Sequence, residues 1–176
     1  PSVFESPTYA LELGNGDVYL GTDQGLWQLP VGEDWAAVPG RIADTPVLSL
    51  AMDGEVLYAG TSEGLFIRSS PGGSWAPVGA MELAGLEVRD IVADRFWEGG
   101  LWVATERGVY RSDDRGQSAR IASRNPLPLT TKLVALDRPG HLLAIGDGAW
   151  ESVDGGIQWQ SLSVGLSGPE QWVARR

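Results

Sequence analysis

The sequence repeats one pattern of short apolar runs four times, and this repeat restricts the possible folds more than any other feature of the chain. Each repeat contains an apolar run, a turn, and a second run that opens with Gly and carries an aromatic residue two positions later. The first runs are 18–22, 57–61, 101–105 and 142–146. The aromatic residues of the second runs are Trp27, Phe66, Tyr110 and Trp150, separated by 39, 44 and 40 residues. Such a regular period indicates a repeat architecture.

Each repeat also supplies two further β-runs. The additional apolar runs upstream are 9–13, 47–52, 88–93 and 133–136, and three repeats place a Trp downstream, at Trp35, Trp75 and Trp159. Four short strands per unit with Gly at the turns are typical of a propeller blade. We therefore predict an all-β fold in which residues 1–176 form a single β-propeller domain. Its four blades are 8–44, 45–84, 85–127 and 128–166, and the repeated aromatic residues fill the space between blades.

The turn after the third strand of the fourth repeat carries the most specific motif. Ser152, Asp154, Gly156 and Trp159 have the spacing Ser/Thr-x-Asp-x-Gly-x-x-Trp, and the third repeat keeps Ser112, Asp114 and Gly116 with Ala119 in place of Trp. The second repeat has Arg68 and Ser70 at the polar positions. The Asp can accept hydrogen bonds from the amides of its own turn while Gly takes positive φ, so we interpret the motif as structural.

These residues resemble the BNR/Asp-box repeat family of sialidases, sortilin and photosystem assembly factors. The runs 18–27 and 101–110 also resemble propeller repeats of bacterial two-component sensor ectodomains. The resemblance implies that the Asp-boxes are fold-stabilising turns on the face opposite the functional one. It also favours an extracytoplasmic location. Function does not follow from the fold, because propellers support enzymes, sensors and scaffolds alike.

Composition restricts the partners and cofactors. A formal charge of −10 argues against nucleic acid as the main partner, because most of the surface would repel phosphates. The chain has no Cys and one His, so we expect no metal site and no cofactor. No apolar run approaches the roughly 18 to 20 residues of a membrane-spanning helix, so we expect no membrane insertion.

We expect a ligand to meet the face formed by the turns between second and third strands and by the loops that lead into the next blade. The charged side chains there could bind a protein or a carbohydrate. The candidates from the turns are Asp23, Glu63, Glu106, Arg107 and Asp147, with Gln24 beside them. The candidates from the inter-blade loops and the starts of the inner strands are Arg41, Asp44, Arg89, Asp90 and Lys132.

The leading functional hypothesis is a non-catalytic binding or assembly module, and we assign no catalytic residue. The alternative is a carbohydrate-active hydrolase or a fragment of one, in which Asp90 could be one of two carboxylates at a separation of roughly 5 to 10 Å. A sialidase-like site would need a free Tyr, whereas all four Tyr residues occupy core-type strand positions. His141 lies in a Pro-Gly-His turn, which predicts a surface residue.

Four blades are the lower limit of known propellers, so an open arc would expose apolar faces at both ends. The segments 1–6 and 169–176 resemble single strands of the repeat and are candidates for closing strands. Closure could occur within one chain, between two chains in a homodimer, or within a longer propeller.

Overall fold

Sixteen strands form four antiparallel sheets in the part of the chain that the computed structural model describes, residues 7–79, 82–123, 127 and 130–162. The first sheet contains β1 (Thr8–Gly14), β2 (Asp17–Thr22), β3 (Gly25–Leu29) and β4 (Ala36–Ala37). The second contains β5 (Val47–Asp53), β6 (Val56–Thr61), β7 (Gly64–Arg68) and β8 (Ala76–Val78). The third contains β9 (Val88–Ala93), β10 (Leu101–Thr105), β11 (Gly108–Ser112) and β12 (Arg120–Ile121). The fourth contains β13 (Thr130–Ala135), β14 (Leu142–Gly146), β15 (Ala149–Ser152) and β16 (Gln160–Ser161).

Each sheet is a meander whose strands are hydrogen-bonded in chain order. The first strands of successive sheets contact one another, β1 with β5, β5 with β9 and β9 with β13, and we call them the innermost strands. Sheets that pack face to face in sequence order through their innermost strands are the blades of a propeller. The predicted all-β propeller fold is therefore confirmed.

The core consists of three apolar clusters, each lying between two neighbouring blades. Tyr19 and Leu26 of the first blade meet Phe66 of the second, and all three are at most 5% exposed. Tyr58 of the second blade packs in a cluster with Val103 of the third. A third cluster joins the third and fourth blades. Stability is thus distributed over blade interfaces, as expected for a repeat protein.

The position of a strand in the arc explains its pattern of burial. All five residues of β10 are buried, because the third blade is covered by neighbours on both faces. In β1 exposure alternates, since only one face of the first blade meets another blade among the described residues. Nearly complete burial of the second strand, as in β6 and β10, therefore marks the middle blades.

Both ends of the arc expose apolar side chains. On the first blade Leu11 is 63% and Leu13 66% exposed, and their cross-strand partners share this face. On the fourth blade Val134 is 43% and Ile145 50% exposed. These two faces are called the end faces below. The predicted closing strands at 1–6 and 169–176 lie outside the described residues.

Candidate functional site

Three turns between second and third strands are fixed by the same threonine contact. In the first blade the hydroxyl of Thr22 donates to the carbonyl oxygen of Gly25 at 2.9 Å and accepts from the amide of Gln24 at 3.1 Å. Thr61 and Thr105 make the equivalent pairs of bonds in the second and third blades. Each Thr is at most 1% exposed, so the residues at the turn tips are held on a buried anchor.

The turn tips are bonded to the chain just before the innermost strand of the same blade. The amide of Asp23 donates to the carbonyl oxygen of Pro7 at 3.3 Å, and the amide of Ser62 donates to that of Pro46 at 3.2 Å. In the third blade the amide of Glu106 donates to the carbonyl oxygen of Glu87 at 3.3 Å. The turns and the starts of the innermost strands therefore form one continuous surface, which we call the rim.

Asp90 and Lys132, two of the predicted rim residues, are brought together across the boundary between the third and fourth blades. Oδ1 of Asp90 lies 3.3 Å from Nζ of Lys132, and its Oδ2 accepts from the amide of Leu133 at 2.7 Å. Asp90 is 8% exposed. Burial raises the pKa of Asp90, while the bond from Leu133 and the charge of Lys132 oppose that shift. This carboxylate thus links two blades.

The other charged rim residues differ in whether they are paired. Nε of Arg89 lies 2.6 Å from Oε1 of Glu87. Within the described residues, Arg107 forms no salt bridge. The predicted rim carboxylates that likewise form no salt bridge to a described residue are Asp23, Asp44, Glu63, Glu106 and Asp147. Because these five carboxylates outnumber Arg107 and Arg41, which are likewise without a salt bridge to a described residue, the unpaired charge on the rim is negative.

A cavity of about 420 Å³ lies where the rim meets the first end face. It brings together three predicted rim residues, Asp23, Gln24 and Asp44, beside Trp27. Oδ1 of Asp23 and Nε1 of Trp27 are buried and have no hydrogen-bond partner among the described residues. A buried polar atom without a partner is costly, so both atoms are left unsatisfied by the described residues.

Arg41, by contrast, does not line this cavity. Its side chain lines a cavity of about 410 Å³ between the first and second blades, together with Arg68 and Trp75. Arg68 is 3% exposed although it stands at the position where the third and fourth repeats have Ser112 and Ser152. The sequence showed that Arg68 departs from the motif, but it did not predict that the guanidinium group of Arg68 is buried.

The motif residues of the third and fourth repeats form closely similar turns at the end of the sheet opposite the rim. Oγ of Ser152 donates to Oδ1 of Asp154 at 2.9 Å and accepts from the amide of Gly156 at 2.9 Å. Nε1 of Trp159 donates to the carbonyl oxygen of Gly156 at 2.8 Å. The third blade repeats the first two bonds with Ser112, Asp114 and Gly116.

The hydrogen bonds of these turns affect the acidity of their carboxylates. Oδ1 of Asp154 accepts from the amide of Gln158 at 2.9 Å, and this bond is the main reason why the pKa of Asp154 is lowered. At Asp114 slight burial works in the opposite direction, but hydrogen bonds from Ser118 and Ser112 leave its pKa lowered as well. Both groups are therefore held as carboxylates.

Two side chains differ from their predicted environments. Tyr9 was expected in the core but is 47% exposed, because it lies at a register irregularity of β1 beside the first end face. His141 was expected at the surface, but its side chain is only 14% exposed, and its Nε2 lies 2.7 Å from Oε1 of Glu151. Among the described residues, no three His, Cys, Asp or Glu side chains lie close enough together to hold a metal ion.

Four stacked four-stranded sheets, with threonine-anchored turns along one edge, define a propeller with a candidate binding rim. No model of a known protein family and no curated protein matches the chain.

Several solved propeller structures resemble the chain in fold. An ancestral GH74 enzyme has a TM-score of 0.73 at 19% identity, over 92% of this chain and 26% of that one. The extracellular domain of BT4673 from B. thetaiotaomicron has a TM-score of 0.71 at 19% identity, over 88% of this chain and 22% of that one. YCF48 bound to D1 peptide has a TM-score of 0.65 at 15% identity, over 88% of this chain and 54% of that one. The chain thus spans between about a fifth and about a half of these relatives.

Proposed function

We propose that this chain is a non-catalytic binding module whose rim receives a cationic segment of a protein partner. The observation that supports it is the charge of the rim, where five predicted carboxylates form no salt bridge to a described residue. Opposite charge at an interface speeds encounter and selects the partner. The threonine-anchored turns hold three of these groups, Asp23, Glu63 and Glu106, in place before binding, which lowers the entropic cost of association. YCF48, a propeller of similar fold, is described as bound to a peptide.

The test is binding of a fluorescent Lys-rich peptide, with a Glu-rich peptide of the same length as a reference. In one variant three rim carboxylates are neutralised by Asp44→Asn, Glu63→Gln and Glu106→Gln. We expect the affinity to fall about tenfold, since three exposed ion pairs contribute about 0.5 kcal/mol each. Binding of the Lys-rich peptide should also weaken as salt is added.

The matched control removes the same charge from the opposite end of the sheets. Glu33, Asp34 and Glu55 are exposed and lie in the loop after β3 and the turn after β5. The variant Glu33→Gln, Asp34→Asn, Glu55→Gln should bind the Lys-rich peptide as the unmodified chain does. Equal losses in the two triple variants would show that net charge, and not the rim, attracts the peptide.

A carbohydrate ligand is the second candidate, and the cavity at Trp27 favours it. An aromatic ring beside Asp23 and Asp44 offers an apolar surface together with hydrogen-bond acceptors for hydroxyl groups. Oligosaccharide titration monitored by Trp fluorescence tests this proposal, and Trp27→Ala should abolish the response. A glycosidase function is tested by a screen of chromogenic glycosides, in which turnover that disappears in Asp90→Asn would support hydrolysis over simple binding.

We further infer that the chain is an Asp-box propeller of an extracytoplasmic compartment. The hydrogen-bonded turns at Asp114 and Asp154 support the first statement. The similarity in fold to two extracellular domains from B. thetaiotaomicron supports the second. No helix long and apolar enough to cross a membrane occurs among the described residues. Cell fractionation of the native host tests the location, and recovery only in the cytoplasm would contradict it.

A further inference from the structure

The cavity between the first and second blades is built around a buried arginine. Arg68, at the end of β7, is 3% exposed. Its Cζ lies 4.8 Å from the ring centroid of Tyr19 and 5.7 Å from that of Trp75. The guanidinium group is therefore fixed by two aromatic rings, one from each blade.

The polar contacts of Arg68 leave its charge without an ion pair. Nη2 donates to Oη of Tyr19 at 2.7 Å, and this hydroxyl donates in turn to Oδ2 of Asp17 at 3.3 Å. Nε of Arg68 is buried and has no acceptor among the described residues, and no described carboxylate lies within salt-bridge distance. A buried cation without a counter-ion is strongly unfavourable.

At the boundary between the third and fourth blades, a comparable arginine, Arg111, is neutralised by carboxylates. The Cζ of Arg111 lies 4.2 Å from the ring centroid of Trp102. Its Nη1 lies 2.9 Å from Oδ2 of Asp94, and its Nε lies 2.6 Å from Oδ1 of Asp113. Two carboxylates thus satisfy Arg111, whereas Arg68 is bonded to a neutral hydroxyl.

The cavity beside Arg68 has a lining that suits the counter-ion that Arg68 lacks. It measures about 410 Å³, and no carboxylate lines it, although the chain carries a formal charge of −10. Nε1 of Trp75 is a second buried donor without an acceptor. Arg41 is exposed, lines the same cavity, and forms no salt bridge to a described residue. The residues that line this cavity thus include two arginines without an ion pair and a Trp whose indole N–H lacks an acceptor among the described residues.

We propose that this cavity binds a small molecule through an oxyanion, either a carboxylate or a phosphate group. The planar guanidinium fork matches both anions and can bind either through two parallel hydrogen bonds. The bound anion supplies the counter-charge that Arg68 lacks. Arg41, at the exposed side, provides a second positive charge. No carboxylate lines this cavity, whereas the peptide proposal rests on the rim carboxylates, so neither proposal depends on the other.

The test uses the full chain and three probes: sodium phosphate, sodium sulfate and sodium citrate. Each is titrated by calorimetry and thermal unfolding at constant ionic strength, with sodium chloride as the reference. We expect saturable binding and a rise in the unfolding temperature with at least one probe, because a ligand that binds only the folded state stabilises it. Tighter binding of phosphate or of citrate identifies the preferred anion. Absence of saturable binding with all three would overturn the proposal.

Arg41→Gln is the principal variant because this side chain is exposed and its loss leaves the core unchanged. We expect it to weaken anion binding about tenfold or more, as for loss of a charge-assisted hydrogen bond. Arg120→Gln is the matched control, since Arg120 is exposed and lines the corresponding cavity at the third and fourth blades. Equal affinities in these two variants would exclude the cavity as the site.

Arg68→Met separates anion binding from a purely structural role. Met retains an apolar stem between the two rings but removes the charge, so the additional stability in phosphate or citrate should disappear. A folded Arg68→Met chain that is still stabilised by the anion would contradict the proposal. If this variant does not fold, the comparison of Arg41→Gln with Arg120→Gln still decides the question. The neutralised rim variant should bind the anion normally, which distinguishes this site from the rim.

Discussion

The amide of Leu133 donates a hydrogen bond of 2.7 Å to Oδ2 of Asp90, and this bond joins the innermost strands of the third and fourth blades. It lies next to a register irregularity of β13 between Thr130 and Lys132. A side-chain carboxylate here binds a main-chain donor from the neighbouring sheet. The same carboxylate that sequence reasoning considered for catalysis therefore contributes to blade packing.

Replacement of Asp90 by Leu should lower the free energy of unfolding by about 1 to 3 kcal/mol, because the buried amide of Leu133 loses its acceptor. Asp90→Asn should lower the free energy of unfolding by a smaller amount, since the amide oxygen of Asn can still accept that hydrogen bond. Urea unfolding followed by Trp fluorescence measures both. An Asn variant as unstable as the Leu variant would show that the charge, and not the acceptor, is needed.

The pH dependence of stability should differ between Asp90 and Asp154. Burial raises the pKa of Asp90 in the folded state. Its contribution to the free energy of unfolding is therefore fully present below the pKa of the unfolded state and is lost as pH rises through the pKa of the folded state. The bond from Gln158 lowers the pKa of Asp154, so its contribution is present above the unfolded pKa and is lost as pH falls through the folded pKa. Unfolding of Asp90→Asn and Asp154→Asn between pH 3 and 7 should therefore deviate from the unmodified chain in opposite directions.

Asp154→Ala should destabilise the chain by about 1 kcal/mol, because the turn loses the acceptor for the amide of Gln158. Asp34→Ala is the matched control, since Asp34 is an exposed carboxylate in the corresponding loop of the first blade. Thermal unfolding at pH 7 compares the two variants. Equal unfolding temperatures would mean that the hydrogen bonds of the Asp154 turn contribute nothing measurable.

The repeat made the propeller predictable, because the apolar runs, turn glycines and motif residues that define one blade lie close together in sequence. Contacts between blades were not predictable in the same way. Arg68 and Tyr19 are 49 residues apart, and Asp90 and Leu133 are 43 apart. Such pairs depend on how two sheets rotate against each other, which local periodicity does not specify. The sequence therefore does not reveal that Arg111 has carboxylate partners and that Arg68 has none among the described residues.

Gly25 is required by both its backbone conformation and its surroundings. Its φ is +105°, and a Cβ placed there would lie 2.2 Å from the carbonyl oxygen of Ala43 in the inter-blade loop. Gly25→Ala should therefore lower the free energy of unfolding by more than the roughly 1 kcal/mol expected when Ala replaces Gly at a position with positive φ and no steric conflict. Gly32→Ala is the control, because Gly32 has φ +77° with no atom near the added methyl. Urea unfolding should show the larger loss for Gly25→Ala, and equal losses would contradict a steric conflict.

The two end faces expose apolar side chains that a second copy of the chain would cover. We expect two copies to pair about the propeller axis so that the first blade of each covers the fourth blade of the other. One two-fold arrangement then buries both end faces and gives eight blades, within the range of about four to eight that propellers adopt. Light scattering should accordingly give twice the mass of one chain.

Leu13→Glu should shift that equilibrium to the monomer, because it places a charge on a residue that is 66% exposed in the isolated arc and buried in the pair. Ile121→Glu is the matched control, since Ile121 is 53% exposed but lies on the outermost strand of the third blade. The control should remain dimeric. A stable monomer of the unmodified chain at high concentration would show that something other than a second copy covers the end faces, and loss of the dimer in both variants would place the contact elsewhere.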